Sequence, residues 1–225
     1  MSGGYLRVVY EVARKDLLVE SRQKRTLNGA FVFALLVIVV FSFVFGEEVA
    51  DRAVLARGAL WLAVVLGGAV GMSHTVAIEG KNNAIGGLLL APVDRSAVYL
   101  GKVTSSTVFI SSVSLLSLLF VVIFLDFSFA VATLGRILVV VVLVAVGFSA
   151  VGVLLSMLML HSDLQESLLP VLLIPLVIPL LLSGTELSRP ALPTDTARMW
   201  FQLLVVYDLL VVLVGWMTFE YVVEG

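Results

Sequence analysis

Cysteine is absent from the 225 residues. This excludes disulfides, CxxC redox chemistry, thiolate metal sites and covalent haem attachment through CxxCH. Histidine occurs only at His74 and His161, too few for a multi-histidine metal centre. Charge is scarce as well. Asp, Glu, Lys and Arg make up 13% of the chain, against 60% for hydrophobic residues. A soluble domain carries roughly a quarter charged residues, so an ordinary cytosolic globule is excluded, and so is a disordered tail. The net charge of -2 leaves no nucleic-acid footprint. No GxxxxGK[ST] sequence is present. Gly101-Lys102-Val103 lacks both the upstream glycine and the hydroxyl residue, so the chain is not expected to hydrolyse nucleotides. HExxH and GxSxG are missing too, and a lone mid-span acid does not make an intramembrane protease.

Long apolar runs fill the space. Leu27–Gly46, Gly58–Ile78, Val103–Leu125, Ile137–Leu160, Ser167–Thr185 and Met199–Phe219 each have the length needed to cross hydrocarbon. They lack the alternation of barrel strands, and a helix satisfies its own backbone in lipid. The predicted fold class is therefore an all-α integral membrane protein with six transmembrane helices. The first 26 residues carry nine charged side chains and no hydrophobic signal core, so the spans are expected to act as their own targeting signals.

Lys and Arg set the orientation. Arg7, Arg14, Lys15, Arg22, Lys24, Arg25, Lys81, Arg95 and Lys102 fall on one side. Arg52, Arg57, Arg136, Arg189 and Arg198 fall on the other. The excess places both termini in the cytoplasm, with 220–225 as a cytoplasmic tail. Residues 1–26 read as an amphipathic elbow helix. Leu6, Val9, Tyr10, Ala13 and Leu17 form one helical stripe flanked by cations, suited to the inner membrane interface. The membrane-spanning body is then 27–219.

Between spans two and three runs EGKNNAIGGLLLAPVDRSAVYLGK, residues 79–102. Gly86-Gly87 precedes Leu88-Leu89-Leu90, Pro92 stops a helix, and Asp94 or Ser96 can cap the next one. This pattern predicts a short, partly apolar element at the membrane surface. It is suited either to passing on a partner's push or to dipping its leucines into lipid. Thr104, Thr107, Ser111 and Ser114 share one face of span three, as a packing seam or a polar path. Gly67 and Gly71, and Ala145, Ser149, Gly152 and Ser156, read as further packing faces. Pro170, Pro175 and Pro179 predict a kinked or broken span five. Asp208 stands alone in mid-span, either lining a path or bonding a neighbouring helix. His74 and His161 are candidate axial haem ligands by chemistry alone. Neither has a partner in a motif, so packing or solvation is their ordinary reading.

GLLLAPVDRSAVYLGK closely resembles the corresponding stretch of the haem exporter protein B family, the membrane permease of bacterial cytochrome c maturation. ARKDLLVESRQKRTLNGAFVFALLVIVVFSF, LWLAVVLGG, LLPVLLIPLVIPLLL and YDLLVVLVGWMTFEYVVE agree in order and spacing, so the resemblance covers essentially the whole chain. It implies an ABC-2-type permease architecture in the bacterial inner membrane. Two copies would pair with two copies of a separate ATPase that binds ATP and Mg, alongside other maturation proteins and a periplasmic haem chaperone. Haem is the implied cargo, either exported or released with its chaperone by ATP hydrolysis, and no cofactor is expected on this chain itself. Residues 79–91 become the element that docks on the ATPase, through Glu79, Leu88, Leu89, Leu90 and Pro92. Relatives carry more charge where this chain has Lys81-Asn82-Asn83-Ala84, which moves the expected contact to the apolar triplet. The connection at 184–198 is expected to hold a short outward re-entrant piece, or else a plain loop. Two other functions fit the same residues. One is an ABC-2 exporter of a lipid or other small molecule, and the other is a non-transport scaffold.

Overall fold

The computed structural model describes residues 2–22, 24–45, 51–81, 93–126, 131–159 and 165–224. Among them the regular structure is helical throughout: α1 (Ser2–Arg22), α2 (Lys24–Phe45), α3 (Arg52–Lys81), α4 (Arg95–Phe124), α5 (Val131–Leu158), α6 (Gln165–Leu187) and α7 (Thr194–Glu224). Six are long and apolar enough to span a membrane: Asn28–Phe45, Arg52–Ser73, Arg95–Phe124, Thr133–Leu158, Leu168–Leu187 and Thr194–Phe219. These are the six spans read from the sequence. The chain is an all-helical, multi-pass membrane protein.

The largest shift in a boundary is at α4, which begins at Arg95 rather than near Val103. Lys102 ended the charge-free run in the sequence, yet it lies inside the helix and is buried. Asp94 caps this helix. Its carboxylate accepts the Ser96 N–H at 3.0 Å and the Ser96 hydroxyl at 2.7 Å, satisfying a donor that the first helical turn leaves open.

Helices α3, α4, α5 and α6 pack in a ring, each against the next and α6 back against α3. Helix α2 sits on α3 and α4, α7 on α5, α6 and α4, and α1 lies along α4 and touches α2. Burial follows this plan: 67% of the α5 span is inside the protein but only 17% of the α7 span. Small residues bring the helices close. A Cβ on Gly67 would stand 3.0 Å from the Ala30 carbonyl oxygen and 3.2 Å from the Ala34 methyl, so α2 and α3 meet almost backbone to backbone. At the end of the bundle away from α1, Trp61 of α3 stacks over Gly184 of α6. Its indole donates to the Ser188 hydroxyl at 2.9 Å, and that hydroxyl donates to the Gly184 carbonyl at 2.7 Å.

Two open readings are narrowed. Helix α6 runs unbroken from Gln165 to Leu187 with Pro170, Pro175 and Pro179 inside it. It packs against α3, α5 and α7, and the Tyr207 hydroxyl of α7 donates to the Leu176 carbonyl, which is not one of those that the prolines leave open. The 184–198 stretch contains no separate re-entrant helix. Its first residues close α6, its last ones open α7, and only Ser188–Pro193 lies between.

Candidate functional site

Among the described residues, two of the places that combine polar side chains with burial bear on the expected sites: the α1 end of the bundle and a point midway along α7. At the first, α1 is strapped to α4. Val12 and Ala13 are buried, and Val12 fills the space over Gly101. Lys102 is buried, and its ammonium lies 3.6 Å from the Asp16 carboxylate, which also holds Lys15 at 3.0 Å. The Tyr5 hydroxyl and the Ser96 hydroxyl are 3.0 Å apart, and the Trp216 indole of α7 donates to the Tyr5 oxygen at 3.0 Å. The stripe read from the sequence is divided. Ala13 turns to α4, while Leu6 and Tyr10 remain 68% and 63% exposed. The helix therefore presents a protein face, an apolar flank and a charged flank, as an interfacial helix packed on a bundle must.

The connection between α3 and α4 emerges beside this strap. Leu88, Leu89, Leu90 and Pro92 lie outside the described residues, as does His161. The backbone of His74 and Glu79 belongs to α3, but their side chains are likewise outside the described set.

The second place is Asp208. It is 5% exposed, and neither carboxylate oxygen has a hydrogen-bond partner among the described residues. It belongs to the core stripe of α7 with Leu204, Val211 and Phe219. Its Oδ1 lies where a Cβ on Gly147 of α5 would go, beside the Leu180 methyls of α6. The hydroxyls of Ser117 on α4, Ser149 on α5 and Ser183 on α6 are also buried without partners among the described residues. Asp208 is thus wedged among α5, α6 and α7 by packing, not bonded to a hydroxyl across the interface.

The hydroxyl stripe of α4 does not form a continuous seam. Thr104 is exposed, Thr107 and Ser111 are half-buried, and Ser114 is buried. Thr104, Thr107 and Ser114 donate to the carbonyls of Leu100, Val103 and Ile110, at 2.7, 2.7 and 2.8 Å. Their polarity is satisfied within α4 itself. Sequence reasoning missed Asp16, Lys102 and Gly147. In the sequence Lys102 counts only toward topology and Asp16 has no role, and a glycine in an apolar run carries no mark of which side chain it admits.

The family model for the CcmB protein matches residues 7–224. The chain belongs to the CcmB family. Individually curated proteins yielded no match. A CcmB protein is the membrane component of the ABC transporter for haem export and cytochrome c maturation. It is a permease subunit and not itself an enzyme, and membership implies work beside other components of that system, an ATPase among them. In CcmB terms the α1 end is the candidate coupling end, because α4 begins there directly after the expected docking segment in the chain, and Asp208 marks the candidate intramembrane site.

Proposed function

We propose that this chain is the inner-membrane permease of a cytochrome c maturation transporter, working as a homodimer driven by two copies of a separate ATPase. Both termini and the α3–α4 connection face the cytoplasm, in keeping with the Lys and Arg distribution. ATP and Mg belong to the partner. Closure of the ATPase dimer pushes on Glu79–Ala91, with Leu88, Leu89 and Leu90 as the apolar contact and Glu79 and Pro92 framing it. The spans rearrange in response. The consequence is haem export or release of the haem-loaded chaperone.

The observation that carries this reading is the construction of the end from which the segment leaves. The first turn of α4 is capped by Asp94, and its first two turns are bound to α1 through Ser96, Gly101 and Lys102. A push on the segment therefore meets a stiff helix start and not a loose loop. Replacing Leu88, Leu89 and Leu90 together by Asp is expected to abolish co-purification with the ATPase while leaving membrane insertion intact. Undiminished co-purification would reject the docking assignment.

A further inference from the structure

Helix α7 buries little of its span, so its few attachments decide whether it can follow the rest of the bundle. One of them lies five residues into α4. Tyr99 is fully buried. Its hydroxyl donates to the Ala150 carbonyl of α5 at 3.2 Å. That oxygen has a second lone pair, so the bond leaves the α5 ladder intact. The same hydroxyl lies over Gly215 of α7, in the room a Cβ would take. The ring stands 5.4 Å from the ring of Phe219, one turn further along α7, at a tilt of 45°. Trp216, next to Gly215, is tied to Tyr5 of α1, and Tyr5 to Ser96 of α4. The Gly215–Phe219 turn of α7 is therefore held from the core by Tyr99 and from the surface by Tyr5. Both holds are anchored on the first turns of α4. Toward the middle of the bundle, about 10 Å along α7 from Gly215, Asp208 rests on Gly147.

We infer that Tyr99 is the positioning residue through which displacement of the 82–92 segment reaches α5 and α7. The inference rests on the docking reading above and adds the route beyond it. The start of α4 is a rigid helical turn, and α7 engages it as a ball in a socket, with the phenol hydroxyl as ball and Gly215 as socket. When α4 shifts, α7 must shift with it or lose the contact. The Ala150 bond keeps the ball pointed at the socket.

The absence of cysteine allows single probes. An environment-sensitive fluorophore on Thr104→Cys of α4 reads arrival of the push, and one on Met217→Cys of α7 reads its transmission. Both positions are exposed. In the assembled complex with its ATPase, both probes are expected to respond to ATP and Mg. Gly215→Ala drives a methyl into the hydroxyl, so the α7 response should be lost while the α4 response and ATPase co-purification persist. Adding Tyr99→Phe does not relieve this crowding, because the ring carbon Cζ would still stand 2.3 Å from the new methyl. Tyr99→Phe alone should weaken the α7 response, and that variant alone decides the matter if Gly215→Ala fails to insert. A full α7 response in both single variants would overturn the inference. So would an α4 probe that stays silent with the ATPase bound. A wild-type chain that never retains the ATPase would instead sink the docking reading, and this inference with it.

Discussion

Asp208 is the one acid on the buried stripe of α7, and its nearest constraint is a glycine. An alanine at 147 would place its methyl against Oδ1 and 2.8 Å from a Leu180 methyl. Overpacking of that kind costs about 1–3 kcal/mol, against roughly 1 kcal/mol of helix propensity gained on replacing glycine. Gly147→Ala should therefore lower the thermal unfolding temperature in detergent. Asp208→Ala in the same chain should recover much of the loss, because it removes the oxygen that blocks the methyl. Strict additivity of the two changes would show that the wedge between α5 and α7 has no energetic weight. The sequence marked Asp208 as unusual, since an acid in hydrocarbon is conspicuous. It did not mark Gly147, one of many small residues in the spans.

Helix α1 shows how an element can be recognised from its periodicity while the face it packs on protein is not. Periodicity predicted a surface helix, and the structure has one. Its buried face is centred on Val12, about one position round from the expected stripe, because Gly101 leaves a socket there and Lys102 draws Asp16 inward. Replacing Asp16 by Asn removes a charge partner of a lysine side chain that is only 6% exposed. A loss of about 1–3 kcal/mol is expected. It should change little with added salt, since a buried pair is weakly screened. Exposed Glu11→Ala should fall within about 0.5 kcal/mol of the parent. Thermal unfolding at low and high ionic strength checks both, and equal losses for the two variants would contradict the strap. On α6 the three prolines do not end the helix, an outcome that residue propensity alone does not predict.

For the whole molecule, the orientation is the most exposed claim. A cysteine at Asn83 should react with membrane-impermeant maleimide only in inside-out vesicles, and one at Ala191 only in intact cells from which the outer membrane has been removed. The native chain contributes no background thiol. The reversed pattern would put the 82–92 segment out of reach of any cytoplasmic ATPase and end the coupling account. Family membership and the six spans were legible in the sequence. The ring of α3 to α6, with α2 and α7 on its outside, was not.

The division has a physical basis. Hydrocarbon thickness and the need to satisfy every backbone group impose a length and a composition on each crossing segment, so residues alone determined that this chain enters the membrane, how many times, and with which excess of cations on each side. They could not determine which face of a span meets protein. A lipid-facing valine and a core-facing valine experience nearly the same solvent, and the apolar contrast that orients a helix in water is missing. Only the tertiary structure decided that Leu180 and Gly147 close over Asp208, that Thr104 faces outward, and that Tyr99 reaches two other helices. These outcomes depend on shape complementarity and close approach, not on hydrophobicity.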